Sequence, residues 1–153
     1  MQFPRVSGSN LLGDKVQLPD QLDADFNVLV VAFQRWHQSL VDSWVPFLES
    51  LVEKNSDLDY YELPTIRRMN WLYRTMLDNG MRAGIPSRET RRRTITLYID
   101  KEPFKKQLAI PDENNVHLFL VTSEGEVLWN ALGGFDEEKG KSLSEALGRA
   151  RGS

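Results

Sequence analysis

Six consecutive residues, Gln34, Arg35, Trp36, His37, Gln38 and Ser39, gather most of the chemistry this sequence could perform in one place. They offer amides, a guanidinium, an imidazole, a hydroxyl and an indole. The segment precedes a helix, so the free N–H groups of the helix start, with Arg35, could hold a carboxylate or phosphate. The plainer reading leaves Gln34 and Arg35 in solvent, lets Trp36 cover an apolar edge, and uses His37 and Ser39 to finish the turn or cap the helix. Ser39 sits two residues from His37 with no acid in view to orient the ring, a poor geometry for a hydrolase. The only histidines are His37 and His117. With Asp112 or Glu113 they would make a two-histidine, one-carboxylate centre. No local ligand spacing supports it, so neither a metal nor another cofactor is expected.

A second feature is a run of arginines on an acidic chain. Between Thr65 and Arg93 lie Arg67, Arg68, Arg74, Arg82, Arg88, Arg91, Arg92 and Arg93 against Asp78 and Glu89, while the whole chain has a formal net charge of −3. Such a zone can steer an acidic partner or a second copy, and guanidinium favours bidentate carboxylate or phosphate contacts. Arg82, Arg88, Arg91, Arg92 and Arg93 are the candidate contacts. The alternative is a solvated face whose arginines pair with nearby acids. Trp71 and Tyr73 fall within an expected helix and form no stacking strip, so nucleic acid is not an expected partner.

The elements that must position these residues can be read from periodicity. With 153 residues, 41% hydrophobic and 27% charged, the chain fits one domain, residues 1–153, able to bury a core unaided. It contains no cysteine, which excludes disulfides and thiolate chemistry. The N-terminus lacks a signal-peptide pattern, and the longest apolar run, Val28 to Phe33, is far too short to span a bilayer. A cytoplasmic protein without membrane insertion is expected. Leu11 to Pro19 predicts a hairpin turning at Gly13-Asp14. The run Val28 to Phe33 predicts a strand covered on both faces, the best candidate for the sheet centre. Ser39, with Asp42 three positions on, predicts a helix start. Val41, Trp44, Val45, Leu48, Leu51 and Val52 then form one buried face, and Pro46 should bend the helix.

Beyond it, Leu58 to Leu63 suits a strand and Ile66 to Asn79 a second helix. Alternation of Ile95, Leu97 and Ile99 with Thr94, Thr96 and Tyr98 predicts a less deeply buried strand. Pro103 to Ala109 suits a short helix, and Val116 to Val121 with Val127 to Leu132 a hairpin about Glu124-Gly125. A closing helix carries Leu143, Ala146, Leu147 and Ala150.

That order, with Phe33 ending the apolar strand and Pro46-Phe47-Leu48 in the helix after it, resembles the thioredoxin-like superfamily, especially its peroxiredoxin and cytochrome-maturation branches. The resemblance covers essentially the whole chain. It implies an α/β three-layer sandwich, a central mixed sheet flanked by helices, with an N-terminal hairpin and a β-α insert, Thr94 to Ala109, before the final hairpin. It also places Gln38 and Val41 where the superfamily carries its two cysteines. Val116 stands where it has a cis-proline, and because a non-proline cis bond costs about 3 kcal/mol, Val116 is expected to be trans. Thiol–disulfide exchange and cysteine peroxidase chemistry need a thiolate, so redox activity of that type is excluded. Arg74, Gly80-Met81-Arg82 and the Thr94 to Gly133 block resemble a mitochondrial ATP synthase assembly factor family of related fold, in which cysteines are also lost.

Two readings follow. In the first, a redox-inactive binding, assembly or chaperone-like module holds a protein partner, or a second copy, through the old active-site loop: Arg35, Trp36, His37, Gln38, Ser39, Leu40 and Val116. Trp36 and Leu40 would form its apolar patch, with Phe47 more naturally in the core. In the second, a cysteine-independent enzyme or small anionic-ligand protein has an enclosed polar pocket around Arg35, His37 and Arg82.

Overall fold

A computed structural model describes residues 1–67 and 88–152. Its strands are β1 (Val6–Asn10), β2 (Lys15–Leu18), β3 (Phe26–Ala32), β4 (Leu58–Arg67), β5 (Ile95–Ile99), β6 (His117–Thr122) and β7 (Val127–Leu132). They form one mixed sheet in the order β2-β1-β5-β4-β3-β6-β7. The described helices are α1 (Gln38–Lys54), α2 (Arg88–Arg93), α3 (Lys101–Gln107) and α4 (Glu137–Arg151), with a single 3₁₀ turn at Arg35–His37 before α1.

The apolar run in β3 follows from its place inside the sheet. It pairs parallel with β4 and antiparallel with β6, with Val30 opposite Glu62 and Leu118. Alternate residues then serve two cores. Leu29 and Val31 join Phe3, Leu63, Leu97, Phe104 and Phe119 on one face, which α3 and the N-terminal segment cover. Val28 and Val30 join Trp44, Leu48, Leu118, Leu143 and Leu147 on the other, beneath α1 and α4. A strand covered on both sides has no solvent face to mark with polar residues, hence the unbroken run.

Both hairpins form as predicted. Gly13 and Gly125 adopt φ of 95° and 89°, values open to glycine without a Cβ penalty. The first turn is also held by Asn10, whose side-chain oxygen accepts from the Leu12 and Asp14 N–H groups, both at 3.0 Å. Among the described residues the one cis peptide bond is Leu18–Pro19, so Asn115–Val116 is trans.

Three expectations need correction. Strand β5 is not a shallow strand: Thr96 and Tyr98 are buried along with Ile95 and Leu97, because β5 lies between β1 and β4 rather than at an edge. Thr and Tyr tolerate such sites better than charged residues, so their alternation with apolar residues did not mark a wet face. Strand β4 continues through Ile66 and Arg67, which pair with Tyr98 and Ile99, so no helix starts at Ile66; the remainder of that expected helix, 68–79, lies outside the described residues. Helix α1 starts at Gln38, directly after the 3₁₀ turn. Ser39 is therefore inside it, and its Oγ donates to the Trp36 carbonyl at 3.2 Å instead of capping.

Candidate functional site

Three segments meet at one end of the sheet: the turn leaving β3, the loop entering β6, and the loop leaving β7. Register requires it. Val31 lies opposite His117, and His117 lies opposite Leu132. Helix α1 is tied to the third segment by Ser43, whose Oγ accepts from the Phe135 N–H at 2.9 Å, and by Trp44, whose indole N–H donates to the Gly133 carbonyl at 3.0 Å.

His37 holds the first segment in shape. Its ring folds back so that Nδ1 accepts from the backbone N–H groups of Phe33 at 3.1 Å and Gln34 at 3.2 Å. One ring nitrogen thus satisfies two donors where the chain leaves the sheet, an obligation any buried turn must meet. With that lone pair engaged, the neutral ring carries its proton on Nε2. His37 is fully buried, and Nε2 has no hydrogen-bond partner. Burial pushes the imidazole below its ordinary 6.5; the Asn114 carbonyl and the Glu113 carboxylate act the other way. That carbonyl favours the charged ring without being placed to close a bond on Nε2.

The loop entering β6 is pinned from α3. Lys101 and Lys105 reach the two Glu113 carboxylate oxygens at 2.6 and 2.8 Å, and the Gln34 side chain donates to the Glu113 carbonyl at 3.4 Å. The insert therefore steadies the site although it contributes no exposed surface chemistry to it. Val116 is fully buried, and its carbonyl accepts from the Gly133 N–H at 2.9 Å. At the cis-proline position this chain has a core residue. His117 is buried with Nε2 unpartnered, stacked on Phe119 with ring centroids 6.5 Å apart. Burial lowers its pKa, Asp112 opposes this, and His37 adds to it.

The two residues that the resemblance sets against the superfamily's cysteines have different surroundings. Val41 is buried in the core beneath α1. Gln38 donates through its side-chain amide to Asp42 at 2.8 Å and to Glu62 on β4 at 3.4 Å. Burial pushes the Glu62 carboxyl above its ordinary range, with Gln38 and Arg93 favouring the ionised form and Asp42 and Glu49 the neutral one. Glu62 was not among the residues picked out by sequence. Its only signal was a carboxylate inside an otherwise buried strand pattern.

The site exposes apolar side chains among polar ones, Gln34, Arg35, Gln38 and Ser39 being exposed with Trp36. Trp36 is 59% and Leu132 52% exposed, and with the N-terminal Met1 they are the exposed large hydrophobic side chains among the described residues. Trp36 stands edge-on to His37 with centroids 4.4 Å apart. Leu40 is half-buried, packed against the core and facing Gly134, so it is not the exposed partner of Trp36 that sequence assigned; Leu132, at the end of β7, is the other exposed apolar side chain of these segments. Phe47 packs on Trp44 and Phe135. Arg35 is exposed beside Trp36.

The arginine zone divides. Arg93 is paired with Asp59 and Glu89, donates to the Tyr60 carbonyl at 2.9 Å and lies over the Tyr60 ring at 4.3 Å. Arg92 bridges the same two acids at 3.3 and 2.6 Å. These residues fasten α2 to β4. The Arg91 carbonyl accepts from Leu11 N–H at 3.0 Å, and Arg88 is exposed at the start of α2. Arg68, Arg74 and Arg82 lie outside the described residues. An open cleft of about 510 Å3 runs between Gln2 to Val6 and α3 and includes none of the predicted site residues.

Fold and site together define a thioredoxin-like protein without thiols, and comparison with solved structures agrees. Copper-bound ScoI from Arabidopsis thaliana has a TM-score of 0.63 at 11% identity, over 97% of this chain and 99% of that one. A thiol:disulfide interchange protein from Bacteroides sp. gives 0.61 at 18%, over 94% and 86%. BsSco, of the Sco family of cytochrome c oxidase assembly proteins, gives 0.59 at 13%, over 95% and 92%. No curated protein matches the sequence. The chain belongs to the ATP10 protein family, which it matches over residues 1–149, a family of ATP synthase assembly factors.

The copper of the plant structure does not carry over to these residues. Cysteine is absent, the His37 Nδ1 lone pair is committed to backbone donors and its Nε2 holds a proton, and no group of three or more potential ligands is placed to hold a metal among the described residues. No helix among them is long and apolar enough to cross a membrane.

Proposed function

We propose that this protein is a redox-inactive assembly module that holds a protein partner through the apolar surface of Trp36 and Leu132, and that the partner is a component of the ATP synthase. Family membership supports the assembly role and the choice of complex. The observation that supports the surface is the exposure of Trp36 and Leu132 at this end of the sheet. Gln38 is bound to its neighbours, Val41 and Val116 are core residues, and the large hydrophobic side chains left exposed at this end of the sheet among the described residues are Trp36 and Leu132, with Gln34, Arg35, Gln38 and Ser39 exposed around Trp36. Tryptophan is among the residue types most enriched at the energetic anchors of protein interfaces. Arg35 supplies a charged rim next to Trp36.

The module would act by binding alone, without covalent chemistry on its client. A photo-crosslinking amino acid placed at Trp36 tests this in cells. An adduct containing an ATP synthase subunit is expected there and not from the same probe at Arg88, on the arginine helix. Equal adducts from both positions, or none containing a synthase subunit, would contradict it.

A further inference from the structure

The side chain that shapes the Trp36 turn is a titratable one, and its mode of attachment leaves it one way to accept a proton. Nε2 of His37 already bears hydrogen, because Nδ1 is the acceptor for Phe33 and Gln34. An added proton must therefore go to Nδ1. There it would point at two N–H groups that are themselves donors, so both bonds are lost together.

We infer that His37 is a proton-operated latch: protonation at Nδ1 releases the backbone of Phe33 and Gln34 and opens the turn that presents Trp36. As a device regulating the proposed binding surface it rests on that reading, although the latch itself does not. The charged ring would keep its Nε2–H and set a second N–H against the Phe33 and Gln34 donors. It is fully buried; the groups facing it are Glu113 and the Asn114 carbonyl from the loop before β6, and His117 from β6. Glu113 favours the charged ring but is already engaged by Lys101 and Lys105, and His117 opposes it. Gln38, which follows on α1, carries no charge. Trp36 lies edge-on to the same ring, so movement of the imidazole is felt directly by the exposed indole. Since burial lowers the His37 pKa from its ordinary 6.5, the latch is closed at neutral pH and opens only as pH falls below that value.

Nuclear magnetic resonance on the free, intact protein tests this without any partner. Nitrogen–proton correlation of the imidazoles should show His37 with its proton on Nε2 at neutral pH. As His37 titrates, exchange of the Phe33 and Gln34 amides, corrected for intrinsic rates, should quicken by roughly tenfold or more while the amides of Val28 to Val31 stay protected. The Trp36 indole resonance should move with the same midpoint. In His37→Gln, whose side-chain oxygen can accept without titrating, the two amides should stay protected across that range. A neutral ring protonated on Nδ1, or unchanged Phe33 and Gln34 protection through the His37 titration, would overturn the latch. Because no client is present, that failure leaves the Trp36 and Leu132 surface untouched, and failure of the surface leaves the latch standing.

Discussion

Trp44 donates its indole N–H to the carbonyl of Gly133 at 3.0 Å, joining the first helix to the residue just beyond the last strand. The tryptophan is fully buried and packs edge-on against Phe47, Trp129 and Phe135. Two terms can be separated by substitution. Trp44→Phe keeps most of the apolar contact but strands a carbonyl, an expected loss of about 1–3 kcal/mol. Trp44→Ala adds a cavity and should cost about 3–5 kcal/mol. Urea unfolding of both variants checks the order, and equal losses would show that the apolar packing adds little beyond the hydrogen bond.

Helix α4 contains two glycines whose replacement by alanine should act in opposite directions. A Cβ on Gly140 would come within 2.9 Å of Phe135 and 3.1 Å of Phe47. Overpacking of that kind costs about 1–3 kcal/mol, more than the roughly 1 kcal/mol gained in helix propensity. At Gly148 nothing lies within 4 Å, so the propensity gain stands alone. Gly140→Ala is expected to lower the thermal midpoint and Gly148→Ala to raise it.

Stability should also depend on pH in two opposite senses, from different residues. Both histidines have folded pKa values below the ordinary 6.5. The unfolded chain therefore binds protons first, and their contribution, complete above 6.5, is lost as pH falls from there through the folded values. Glu62 runs the other way, with its folded pKa above the ordinary 4.5. The native state keeps a proton that the unfolded chain releases, so its contribution is full below 4.5 and lost as pH rises through the folded value. His117→Phe should flatten the acid limb, and Glu62→Gln the limb above 4.5, in denaturant titrations across pH. If Glu62→Gln leaves that limb unchanged, the carboxyl is not held neutral in the native state.

Much of the fold was legible because its strongest signals are local. The unbroken run in β3, the glycine turns at Gly13 and Gly125, and the spacing of Val41, Trp44 and Leu48 each depend on a few neighbouring residues. Strand β5 was misread for a nonlocal reason: Thr96 and Tyr98 look like a wet face until β1 and β4 enclose them. The site was legible as a place and less so in its parts. Cysteine loss located the loop, but that His37 ties the turn to Phe33 and Gln34, or that Leu132 rather than Leu40 stands exposed, depends on how three distant segments meet. Arg92 and Arg93 show the same limit, since their partner Asp59 lies on another strand.

The central claim is that this thiol-free domain serves ATP synthase assembly through Trp36 and Leu132, and rescue of assembly in cells lacking the gene tests it most directly. The variant Trp36→Ala with Leu132→Ala changes two exposed side chains, so its folded stability should stay within about 1 kcal/mol of the parent. With expression and folding matched, the amount of intact ATP synthase complex would be measured on native gels. Wild type should restore the complex and the double variant should not. Restoration by the double variant as complete as by wild type, or no loss of the complex when the gene is absent, would contradict the account.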